Sequence, residues 1–262
     1  MNDLNDFKSW LLQNHDYSQN TLQSYLFAFK NFFKNFSEIS SENARSYIQQ
    51  LEKENRKPKT INLRITALVK IAEYKGSKII IKRPKIPNTL NTDNIPNEND
   101  YKIFIEYLSE QNKKFEFIVK LMATTGCRVS ELLEFTYEDV IRGFCMIKGK
   151  GSKYRRFFFA ESLKSYANGK SGIICLNRFG KKMTTRGVAT VLKDAAIKAG
   201  IQKEKIHPHA FRHFFAKMFL SKTNDIVTLA DFLGHEKIET TRIYLRKSYD
   251  EQKREFNNAV TW

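Results

Sequence analysis

Through residues 1–80, apolar side chains recur at three- and four-residue intervals, the spacing that gathers them on one face of a helix. Four such stretches follow one another. LNDFKSWLL predicts a first helix, and SQNTLQSYLFAFKNFFKNF a second with Ser18 as its N-cap. SSENARSYIQQLEKEN, opened by serines, predicts a third. KTINLRITALVKIAEYKG predicts a fourth, with Gly76 placed to end it in a left-handed conformation. Strand-like alternation is weak here, so a helical domain is expected over residues 1–82.

Residues 83–98, RPKIPNTLNTDNIPNE, hold three of the five prolines among Asn and Thr. Proline has no N–H and restricts the residue before it, so an extended linker is expected. Helical spacing resumes in NDYKIFIEYLSEQ and KKFEFIVKLMATTG. GFCMIKGKGSKYRRFFFA then shows two β-type runs around the Gly-Lys-Gly-Ser of 149–152, which predicts a hairpin. SGIICL is a candidate third strand. The rest returns to helical spacing in TTRGVATVLKDAAIKAG, PHAFRHFFAKMFLSKT, DIVTLADFLG and TTRIYLRKSYDEQKREF. The fold class expected is mainly α, with a small β-hairpin or sheet in a second domain over residues 99–262.

Composition narrows the partners. With 45 Lys and Arg against 28 Asp and Glu, the formal charge is +17 and is spread along the chain. Such an excess favours a polyanion, although a Lys- and Asn-rich composition inherited from an AT-rich genome would also produce it. No apolar run approaches the roughly 20 residues of a membrane span, and the N-terminus has no apolar signal core. A cytoplasmic protein is expected. Cys127, Cys145 and Cys175 lie far apart with no C-x-x-C pair, which suits buried thiols in a reducing compartment.

Four stretches could carry chemistry. IHPHAFRHFF, residues 206–215, holds three of the five histidines around Arg212. With Pro208 in the first helical turn, His209, Arg212 and His213 share a face. A metal pair, a phosphate site and a basic helix without a role are all open on this stretch alone. The metal reading lacks a third ligand, and an arginine among the ligands repels a cation. In TTGCRVSELLEF, Arg128 follows a glycine at a helix break and Glu131 sits one turn on, a pairing most often solvated. Lys150 lies between Gly149 and Gly151 at the hairpin tip. In FLGHEKIETTRIYL, Gly234 ends a helix beside His235, Thr240 or Thr241 caps a short helix, and Tyr244 would alone be read as a core aromatic.

Taken together in the order Arg…Lys…His-x-x-Arg…His…Tyr, these boxes resemble the tyrosine recombinases, nearest the Xer and phage-integrase branch. TGCRVSEL, GKGSKYR, HPHAFRHFFA and LGHEKIETTRIYL each match a family box, with Cys127 in place of the commoner leucine. The specific match covers about the last 165 residues; the N-terminal helices match the SAM-like core-binding domain in size and pattern only.

The resemblance implies a two-domain DNA-clamping enzyme that breaks a phosphodiester by tyrosine attack and reseals it to another strand. Arg128, Arg212, His209 and His235 would bind the phosphate, with His209 managing the tyrosine proton. Lys150 would protonate the leaving 5′-oxygen and Tyr244 would be the nucleophile. Glu131 would orient a cation, and His213 would support the helix behind. The implied partners are double-stranded recombination sites and a homotetramer at synapsis, with or without a second recombinase or regulatory protein. No cofactor and no metal are implied. The tail ending in Val260 and Trp262 would dock on its own domain or, as favoured here, on a neighbouring protomer. A catalytically silent DNA-binding protein of the same fold is the alternative.

Overall fold

The computed structural model describes residues 2–85, 94–148, 154–235 and 237–245, together with 253, 256–258, 260 and 261 of the tail. The chain divides into two compact units, Met1–Asn88 and Thr89–Trp262.

The first unit contains helices α1 (Asn2–Asn14), α2 (Gln19–Phe33), α3 (Ser41–Lys53) and α4 (Pro58–Tyr74). The side chain of Ser18 accepts from the Thr21 N–H and that of Ser40 from the Asn43 N–H, so both serines cap their helices. Pro58 occupies the first turn of α4, and Gly76 closes it at φ +68°. Phe7, Leu11, Phe32, Leu68 and Ile71 are buried at the centre, and Phe7 stacks on Phe29 at 5.0 Å. The start of the expected linker is docked on this unit. Arg83 donates to the Asn62 carbonyl and to Thr66 Oγ1, and Asn62 donates to the Pro84 carbonyl. Residues 86–93 of that segment lie outside the described residues.

The second unit opens with α5 (Glu98–Gln111), capped by a reciprocal Asn97–Asp100 box, and α6 (Lys113–Thr125). Buried Ile118, Leu121 and Met122 make α6 the central helix. The short helices α7 (Val129–Leu132) and α8 (Tyr137–Arg142) lead into β1 (Phe144–Lys148) and β2 (Tyr154–Phe158). The strands pair antiparallel, Phe144 opposite Phe158 and Lys148 opposite Tyr154. Among the described residues the sheet has two strands. SGIICL does not add a third: it makes one bridge to Thr136 and one from Leu176 to Lys182. Ile174 and Cys175 are consecutive and both buried, which the two-residue alternation of a one-sided strand does not allow.

After α9 (Lys164–Ala167) come α10 (Thr185–Lys198), α11 (Pro208–Thr223), α12 (Ile226–Leu233) and α13 (Glu239–Arg242), the last followed by a 3₁₀ turn over Ile243–Leu245. Ile238, not Thr240 or Thr241, precedes α13; Thr241 lies inside it, fully buried. Among the described residues no helix is long and apolar enough to cross a membrane. All three cysteines are free and buried, and burial pushes each thiol up to about 12.

Candidate active site

The ends of two helices, strand β2, helix α11 and the last 3₁₀ turn build the site. Helix α6 stops at Gly126, which adopts φ +59° and leaves its carbonyl free of the helix ladder. The chain turns, and Arg128 stands immediately before α7. Helix α12 stops the same way at Gly234, φ +62°, which turns out His235. Both glycines are also required sterically. A Cβ on Gly126 would stand 2.4 Å from Phe215 Cδ1, and one on Gly234 would stand 2.9 Å from Arg155 Cδ.

Three arginines converge on these ends. Arg212, on α11, is 2% exposed. Its Nη1 donates to the Gly126 carbonyl at 2.8 Å and its Nη2 to the Leu233 carbonyl at 2.5 Å, so one guanidinium satisfies the ends of both α6 and α12. Nη2 also lies 3.0 Å from His235 Nε2. Arg155, on β2, donates to the Gly126 and Phe232 carbonyls and, through Nη1, to Glu131 Oε2 at 2.6 Å. Arg128 donates from Nη1 to Glu131 Oε1 at 3.0 Å and from its backbone N–H to Oε2 at 2.5 Å, while its side chain stays 46% exposed.

Glu131 is therefore buried at 4% exposure and is not the solvated partner that a three-residue spacing suggests. Two guanidiniums and a backbone N–H share its two oxygens. Arg155 escaped the sequence reading, which weighed only Lys150 in GKGSKYR. The signal was available: alternation along β2 places Arg155 on the same inward face as Phe157. Lys150 lies outside the described residues.

Three guanidiniums thus surround one carboxylate. Burial first, then repulsion by Arg155 and Arg128, pulls the Arg212 guanidinium down to about 10, so it stays charged at neutral pH. The same burial, followed by repulsion from Arg212, Arg128 and Arg155, lowers His235 to about 4. Its neutral ring has a fixed tautomer: Nε2 faces an arginine that can only donate, so Nδ1 carries the hydrogen toward Thr241 Oγ1, 2.8 Å away.

Tyr244 sits in the 3₁₀ turn, three residues beyond Thr241. Burial raises its pKa, and Arg212 pulls it partly back. Its hydroxyl lies 2.7 Å from His213 Nδ1. His213, expected to support the helix, lies on α11 and makes this contact with Tyr244. His209 stands one turn earlier on the same helix face, its ring edge-on to His213 at 4.3 Å. His207 precedes α11 without capping it through its side chain, and burial lowers its pKa. The structure thus brings together Arg128, Glu131, Arg212 and His235 in one hydrogen-bonded cluster, and His209, His213 and Tyr244 in a contiguous group beside it.

The class of protein defined by this site and fold is explicit in comparison with known proteins. The phage integrase family model matches residues 97–251, and the family's N-terminal SAM-like domain matches residues 4–77; the chain belongs to the phage integrase family. Among relatives, tyrosine recombinase XerA of Pyrococcus furiosus is 29% identical over 245 residues, covering 87% of this chain and 84% of that protein. Tyrosine recombinase XerC of Staphylococcus haemolyticus is 28% identical, covering 97% and 95%. Solved structures share the fold. A Tn1549 transposon integrase in complex with transposon right-end DNA aligns with a TM-score of 0.72 at 15% identity, covering 98% of each chain. The XerA recombinase crystal structure aligns at 0.55 and 23%, covering 100% of this chain and 99% of that one.

Proposed function

We propose that the protein is a site-specific DNA recombinase that cleaves and rejoins strands through a 3′-phosphotyrosine on Tyr244. One observation carries the reading: three guanidiniums, two of them bonded to Glu131, cluster around a single carboxylate beside a half-buried tyrosine. Such a site has an excess of fixed positive charge and a nucleophile, and a phosphodiester supplies what it lacks. Its negative charge grows on the equatorial oxygens as the tyrosine attacks, so preset cations stabilise the transition state more than the ground state.

The roles follow from position. Arg128 is the exposed guanidinium and forks onto the phosphate, while Arg212 presents its remaining N–H groups from behind. His235 gives up its contact with Arg212 and, once protonated, donates to the same phosphate. His209 lies on the nucleophile's side of the cluster. Glu131 orients Arg128, and Arg155 holds Glu131. Lys150 protonates the leaving 5′-oxygen. The phosphotyrosine conserves the energy of the broken bond, so neither nucleotide nor metal is required.

The substrates are double-stranded recombination sites. The relatives that carry tyrosine recombinase names support the recombination itself; homotetrameric synapsis and a cytoplasmic location complete the proposal. A silent DNA-binding role is not favoured, since the described residues of every box stand in a connected site.

The test is topological. A supercoiled plasmid carrying two copies of the DNA flanking the protein's own gene is incubated with the protein in EDTA without nucleotide. Resolution into two circles, lost in Tyr244→Phe, is expected. Specific binding without any change in topology in a synapsis-competent mixture would contradict it.

A further inference from the structure

We propose that His213 takes the phenolic proton of Tyr244 as the tyrosine attacks the DNA, a role that rests on the recombinase reading above. The resemblance placed proton handling on His209. One turn of α11 separates the two imidazoles, and it is His213 Nδ1 that stands 2.7 Å from the tyrosine oxygen, within reach for direct transfer. The His213 and Tyr244 ring centroids lie 5.4 Å apart.

The surroundings keep His213 able to accept. The titratable groups facing it are His209 and Arg212 on its own helix, His207 at that helix's start, His235 beyond α12 and Tyr244 itself. Burial first, then the positive charge of this ring of groups, holds the imidazole down to about 4. It is therefore neutral near pH 7, and a neutral imidazole has one nitrogen with a free lone pair. The phenol needs such an acceptor. With an ordinary pKa near 10, fewer than about one tyrosine in a thousand is ionised at pH 7, and burial makes Tyr244 harder still to ionise. An arriving phosphodiester adds negative charge beside the cluster, which raises the proton affinity of His213 as attack begins.

The step balances within the proposed reaction. The Tyr244 O–H bond breaks and its proton passes to His213 Nδ1. The freed electron pair forms the bond from oxygen to phosphorus. The bond from phosphorus to the 5′-oxygen breaks, and that oxygen takes a proton from Lys150. Religation reverses each transfer, returning the proton from His213 to Tyr244.

The experiment measures single-turnover adduct formation against pH on a nicked duplex from the DNA flanking the gene. Wild type, His213→Gln and His213→Ala are compared, with far-ultraviolet circular dichroism and duplex affinity checking that each variant is folded and binds. Glutamine keeps a hydrogen bond to the tyrosine but cannot carry the proton. A slowing of about 10²–10⁴-fold at pH 7 is expected in His213→Gln, the range usual for a positioned acid or base. That deficit should shrink as pH rises toward the pKa of Tyr244, where hydroxide replaces the lost base. Substituting sulfur for the bridging 5′-oxygen, which removes the need to protonate the leaving group, should not rescue the variant.

Four results would overturn the role. A deficit equal at every pH means packing alone, and rescue by sulfur places His213 on the leaving-group side. An unchanged rate leaves it without a part, and a faster rate makes the contact a resting latch. Each of these leaves the recombinase reading intact, because wild type still forms the adduct. No adduct from wild type sinks both.

Discussion

Arg212 shows how much of the site is decided by single side chains. Taking a guanidinium out of water is costly unless its donors are used, and two helix-end carbonyls use them here. Glu131 sits at the opposite pole. Removing its charge in Glu131→Gln leaves Arg155 and Arg128 facing each other across an uncompensated position. A loss of about 3–5 kcal/mol in unfolding free energy is expected, the range for breaking a buried pair by deleting one partner. Urea denaturation of the variant reads it directly. The histidines add a pH dependence whose sign is fixed. His213 and His235 have pKa values lowered to about 4 in the fold, against about 6.5 unfolded. Between those values the unfolded chain binds more protons, so stability falls as pH drops from 6.5 toward 4. His213→Gln should lose part of that slope, measurable as a smaller decrease in Tm across the interval.

At the scale of elements, the glycine that ends a helix does more than stop it. Gly126 exposes the carbonyl that Arg155 and Arg212 share, and its φ of +59° disfavours a side chain. Gly126→Ala adds a Cβ 2.4 Å from the Phe215 ring to that strain. A loss of about 2–4 kcal/mol is expected by denaturant titration, combining backbone strain with overpacking. These stops, the serine caps and the hairpin were legible because caps and alternation are local in sequence. Thr241 was not. Its hydroxyl looked free to cap α13, yet its partner is His235, six residues back across the turn after α12. The same limit hid Arg155: alternation turns it inward, but its partners lie 24 and 77 residues away in Glu131 and Phe232. The contact of His213 with Tyr244 spans 31 residues and follows only from how α11 packs against the last turn. Local rules place an element's ends; tertiary packing chooses which side chains meet.

At the scale of the whole molecule, the proposed function assigns affinity to the charge of +17 and chemistry to the site. Binding that rests on phosphate contacts releases counterions, so affinity for duplex DNA should fall steeply with salt. A loss of about 10³-fold or more between 50 and 200 mM is expected if six or more phosphates are engaged, read by fluorescence anisotropy. A loss of a few-fold would mean that the basic excess reflects composition and not a binding surface. The central claim is that Tyr244 becomes covalently joined to DNA, and trapping tests it most directly. The protein is incubated in EDTA with a duplex from the DNA flanking its gene, nicked so that the cleaved end diffuses away. The adduct is then isolated in SDS and its modified residue mapped by mass spectrometry. A nucleotide linked through its 3′-phosphate to Tyr244, absent from Tyr244→Phe, is the predicted result. A linkage to any other residue, or cleavage that Tyr244→Phe performs as well as wild type, would contradict the account.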